Sequence, residues 1–133
     1  MTEATVAADP RFEKLANLLK TGQETFDRAN VKFQERMAKN PAYAFEWAGE
    51  VIAASAKARV YGGYLDDLVG NQEAESPISY EDVFEFIKAS LTNRVISGAK
   101  SPKCSSSAMA NLVAQEELSA CAGLLNTLTA RWF

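Results

Sequence analysis

The sequence predicts an all-α fold: a compact antiparallel bundle of about four helices, over approximately residues 10–39, 41–69, 79–97 and 105–131. Three observations carry this. Apolar residues recur at steps of three and four through four long segments. Proline, glycine and helix-capping residues stand at the junctions between those segments. No stretch alternates apolar and polar residues as a half-buried strand would. With 133 residues the chain suits a single domain, 1–133, whose first eight residues are expected to form a flexible tail.

Asp9 can cap the first helix and Pro10 can occupy its first position, where a missing N–H costs nothing. Phe12, Leu15, Leu19, Gly22, Phe26, Ala29 and Phe33 then line one stripe of that helix. The sevenfold spacing of Phe12, Leu19, Phe26 and Phe33 is that of a coiled-coil seam. Asn40–Pro41 repeats the cap-then-proline signal and starts a second helix. Ala44, Trp47, Val51, Ala54, Ala58, Tyr61, Leu65 and Leu68 form its stripe, while Phe45, Ile52 and Ala56 make a second apolar line. A helix apolar over so much of its circumference is expected at the centre of the bundle. Gly62–Gly63 is expected to kink it or end it early.

Residues 70–77 read as a polar loop. Ser79 caps the third helix, and Asp82 three residues on makes a variant of the capping box. Tyr80, Val83, Phe84, Ile87, Leu91 and Val95 form its buried side, and Gly98 is expected to end it. One of Ser105, Ser106 and Ser107 caps the fourth helix. Ala114, Leu118, Cys121, Leu125, Leu128 and Trp132 are its stripe.

An apolar content of 47% with 23% charged residues argues against disorder. A chain of this size buries enough of its unfolded surface to need no disulfide or metal staple. A helix starting after Cys104 would carry its thiol about 25 Å from Cys121, too far for a disulfide. Both cysteines are therefore read as free thiols in a reducing compartment. The first ten residues, MTEATVAADP, lack the basic start and apolar core of a signal peptide, and no apolar run is long enough to span a membrane. The expected setting is the cytoplasm, without membrane attachment.

The chain contains no histidine, which removes the usual general base and the commonest metal ligand. No phosphate-binding glycine motif occurs. Ser97-Gly98-Ala99-Lys100 spells S-x-x-K, but the dyad chemistry needs both residues on one helical turn, and Gly98 is expected to break that turn. Glu46 with Glu50, and Asp66 with Asp67, read as solvated surface charge rather than half of a metal site. No catalytic residue, metal or cofactor is expected.

Charge order carries more information than the net charge of −3. Seven acids and no base lie between Arg59 and Lys88, whereas four bases (Lys88, Arg94, Lys100, Lys103) and no acid lie between Glu85 and Glu116. Acids at helix starts and bases at helix ends account for part of this pattern. The same polarity can also form complementary patches between subunits. Arg94, Lys100 and Lys103 beside the serines 105, 106 and 107 make a candidate anion-binding corner. Phe45, Trp47, Tyr61, Tyr64, Trp132 and Phe133 are a large aromatic load for thin helices and are candidate interface residues.

The function expected from these features is a non-enzymatic binding protein that contacts a protein partner, with homo-oligomerisation as its simplest form. The alternative is a binder of nucleic acid or a phosphorylated small molecule through residues 94–107. For that alternative, Lys100→Glu with Lys103→Glu should abolish nucleotide or nucleic-acid binding in a low-salt filter assay, and added salt should weaken it. An unmodified chain that binds neither at low salt excludes it.

Overall fold

The structure, a computed structural model, describes residues 9–100 and 107–130, without the side chains of residues 43–45 and 99–100. It is an all-α bundle of four helices: α1 (Pro10–Lys39), α2 (Ala44–Glu73), α3 (Tyr80–Lys100) and α4 (Ala108–Ala130). A single 3-10 turn, Pro41–Tyr43, joins α1 to α2.

The caps act as their chemistry predicts. Asp9 Oδ1 accepts from the Arg11 N–H at 3.0 Å, with Pro10 in the first helical position. The Asn40 N–H closes α1 on the Arg36 carbonyl at 2.9 Å, while its Oδ1 accepts from the Ala42 N–H at 3.2 Å. Ser79 Oγ accepts from the Asp82 N–H at 3.3 Å, and Ser107 Oγ from the Ala110 N–H at 3.2 Å. Each satisfies an amide that the helix itself leaves without a partner.

Cross-helix contacts set the directions. Along α1 and α2 the partners run in opposite order: Gly22 lies under Tyr61, Thr25 Oγ1 accepts from Lys57 Nζ at 3.4 Å, and Arg36 pairs with Glu50 at 3.5 Å. Residues 71 and 78 meet across the next junction, where the Asn71 side chain both donates to and accepts from the backbone of Ile78 (3.2 and 2.9 Å). Tyr64 then reaches Ser90, and Gly98 packs against Leu118, so successive helices are antiparallel. α2 touches α1 on one side and α4 on another, in keeping with its two apolar lines. Arg59 Nε donates to Glu117 of α4 at 2.9 Å.

The core gathers Phe12, Leu15 and Leu19 of α1 with Val60, Tyr61, Tyr64 and Leu68 of α2. Tyr80, Val83, Ile87 and Leu91 of α3 and Cys121, Leu124 and Leu128 of α4 complete it. Burying a side chain of this kind stabilises the fold by about 1.5–3 kcal/mol. α1 and α2 have 30 residues each, about 45 Å, whereas α3 has 21, about 31 Å. Because α3 starts beside the beginning of α1, its end falls short of the hairpin tip. There the Arg36 guanidinium stacks 3.4 Å from the Trp47 ring centroid.

Three glycine expectations are corrected. α2 does not end at Gly62–Gly63 but runs on to Glu73, with buried Tyr61 and Tyr64 on either side of the pair. The segment expected as a loop from residue 70 is therefore helical for its first four residues. α3 continues past Gly98 to Lys100, and no described glycine has a positive φ. Gly98 is small because α4 is close: a Cβ there would sit 2.6 Å from Leu118 Cδ1. Ser97 and Lys100 thus share an unbroken last turn of α3, which overturns the expectation that Gly98 separates them.

Two glycine substitutions should have opposite signs. At Gly63 an added Cβ meets nothing within 4 Å, so Gly63→Ala should raise stability by about 1 kcal/mol through helix propensity. At Gly22 the new Cβ would lie 2.7 Å from Tyr61 Cβ and 3.2 Å from the Lys57 carbonyl, neither able to swing aside. Gly22→Ala should cost about 2 kcal/mol. Urea unfolding midpoints of the two variants check both signs.

Candidate interaction surface

α3 is held in a fixed rotation about its axis by contacts at two levels. At its start, Arg11 of α1 bonds Asp9 (Nη2–Oδ2 2.7 Å) and Glu81, while its guanidinium lies 4.5 Å from the Tyr80 ring centroid. The hydrogen bonds from Arg11 hold both carboxyls below their usual range. Tyr80 meets Phe12 edge-on at 5.4 Å and stacks on Phe84 at 5.6 Å. Nearly three turns further in, Tyr64 Oη and Ser90 Oγ share a hydrogen bond of 2.8 Å, and Arg94 Nη1 donates to the same phenol at 3.3 Å.

With Tyr80, Val83, Ile87 and Leu91 facing inward, the opposite side of α3 is turned to solvent. It carries Asp82, Phe86, Ala89, Asn93 and Ile96, all exposed and spaced by steps of four, three, four and three. That spacing keeps residues on one line of a helix and is the seam pattern of a coiled coil. Phe86 is 59% exposed and Ile96 46%. The remaining large exposed apolar residues of the described helices, Val31, Val69 and Met109, stand one to a helix. Glu81, Asp82 and Glu85 are exposed and make the first half of α3 acidic. Lys88, half-buried, lies 5.3 Å over the Phe84 ring.

The residues singled out from sequence fall in different places. Tyr61 and Tyr64 are buried to 7% and 4% exposure, which removes them from the candidate interface. The core takes them because α2 presents one to α1 and the other to α3. Trp47 is half-buried beneath Arg36. Arg94 is exposed, but its guanidinium is directed at Tyr64, away from an anion-binding role. Ser107 is the α4 cap. Lys103, Ser105, Ser106, Trp132 and Phe133, with the side chains of Phe45 and Lys100, lie outside the described residues. Glu50 is tied to Arg36, and Glu46, Asp66 and Asp67 are exposed.

Among the described residues no three acidic or cysteine side chains converge as a metal site requires. Cys121 is a buried free thiol whose pKa burial pushes up, the reverse of what a reactive cysteine needs. No described helix is long and apolar enough to cross a membrane. Phe86 and Ile96 are the surface residues that the stripe analysis missed. A signal existed: Phe84 and Phe86 lie about 200° apart on a helix, so both cannot face one core.

No protein-family model, curated protein or solved structure matches the chain.

The anchor at the start of α3 contains one unsatisfied group. The Tyr80 hydroxyl is buried and finds no hydrogen-bond partner among the described residues, and desolvation pushes its pKa up to about 12. Tyr80→Phe removes the orphaned hydroxyl and keeps the ring contacts. It should raise stability by about 1 kcal/mol, read as a higher urea midpoint.

Proposed function

We propose that this chain is a non-enzymatic helical binding protein that acts through protein–protein contacts and associates with itself. The observation that supports this most directly is the pair Phe86 and Ile96, exposed at coiled-coil spacing on a helix whose other side is already committed to the core. A single exposed apolar residue needs no explanation, but two on one seam with small Ala89 between them form a surface that gains by being covered. The chemistry of the chain points the same way. It has no histidine, its described cysteine is buried, and Arg94 is engaged with a tyrosine. A partner-binding adaptor, regulator or inhibitor uses shape and charge, which this chain has.

Multi-angle light scattering over a wide range of protein concentration tests the reading. The expected result is a mass above 14.5 kDa that rises with concentration. A 14.5 kDa species at every concentration contradicts self-association.

A further inference from the structure

We propose that the solvent-facing side of α3 pairs antiparallel with the same side of a second copy of this chain. The proposal rests on the self-association reading and assigns its surface and geometry. Four positions of the seam, Asp82, Phe86, Ala89 and Asn93, continue to Ile96 and, at the next step of four, to residue 100 at the end of α3. The series is self-complementary about Leu91. Turned end for end, it sets Phe86 opposite Ile96 of the second copy, Ala89 opposite Asn93, and Asp82 opposite Lys100.

Each layer has a physical reason. Phe86 and Ile96 cover each other twice by symmetry, in the isologous manner of a twofold dimer. Ala89, the smallest residue of the line, lets the two helix axes approach at the centre. Asn93 facing it is the kind of polar seam residue that selects register at some cost in stability. Charge then selects direction. The first half of α3 holds Glu81, Asp82 and Glu85 against Lys88 alone, and the second half holds Lys100 and Arg94, the latter turned to Tyr64, without an acid. An antiparallel pair brings acidic half to basic half, whereas a parallel pair would place Asp82 on Asp82 and Lys100 on Lys100. Val31, Val69 and Met109 have no such line on their helices. One pair of helices about 31 Å long is at the small end of stable interfaces, so the dimer should dissociate on dilution.

Sedimentation equilibrium of the full chain tests this with Phe86→Glu, Ile96→Glu, Asp82→Lys, Lys100→Asp and the double charge exchange. Circular dichroism checks that each variant keeps its helices. Phe86→Glu and Ile96→Glu are each expected to weaken the dimer about tenfold or more. Either single charge reversal should weaken it, and the double exchange should restore it. Val31→Glu should leave it unchanged. A dimer that survives both Phe86→Glu and Ile96→Glu overturns the assignment of the surface and leaves self-association standing. Loss of the dimer in those variants without recovery in the charge exchange overturns the antiparallel arrangement. A wild-type chain that stays monomeric overturns this proposal and self-association together, and a different protein seated on the α3 face of such a monomer excludes the second copy as its occupant.

Discussion

Where Gly22 passes under Tyr61, the backbones of α1 and α2 approach so closely that a methyl group would lie 2.7 Å from Tyr61 Cβ. This contact seats the aromatic ring of Tyr61 against α1 and sets how α2 is rotated. Three residues later, about 60° round the same side of α2, Tyr64 turns to α3, where Ser90 and Arg94 meet its hydroxyl. The two tyrosines thus transmit one constraint through three helices. Once α1 and α2 are locked, the side of α3 that can reach Tyr64 is settled, and so is the side that cannot.

The ends of α3 are secured by different physics. At its start, Arg11 joins two carboxylates at the surface to the face of buried Tyr80; ion pairs there contribute little individually but fix geometry together. The junction before it is tied by the Asn71 amide, which satisfies both backbone groups of Ile78 as a neighbouring strand would. At its far end, packing replaces polar contacts: Gly98 admits the Leu118 side chain. Between these points the inward line of α3 is fully apolar. The tolerated flaw is the Tyr80 hydroxyl, buried for the sake of a ring that packs on Phe12 and Phe84.

How legible this was depended on whether the information was local. The four helices, their order and the caps at Asp9, Asn40, Ser79 and Ser107 follow from residues a few positions apart, and the structure has them. The stripe of α1 was equally plain, with Phe12, Leu15, Leu19, Gly22 and Ala29 buried along it. Glycine misled because its local meaning, a break, competes with a tertiary one, room for a neighbour. Gly98 serves the second, and Gly62 and Gly63 lie within the helix between two buried tyrosines. Tyr61 and Tyr64 misled in turn because an aromatic residue with a polar tip reads equally well as interface or core.

By itself the sequence determined an all-helical chain with its helix starts, its apolar stripes and a run of acids followed by a run of bases. These are properties of spacing and capping, which act within a few residues along the chain. The buried line of α3 through Tyr80, Val83, Ile87 and Leu91 was legible too; only the tertiary structure decided that Tyr61 and Tyr64 join the core and that Phe86 and Ile96 are left exposed on one seam. Both Phe84 and Phe86 are apolar, and helix geometry forbids burying both against one neighbour. The reach of Tyr64 to Ser90, itself set by the approach of α2 to Gly22, holds Val83, Ile87 and Leu91 inward and leaves Phe86 and Ile96 outside.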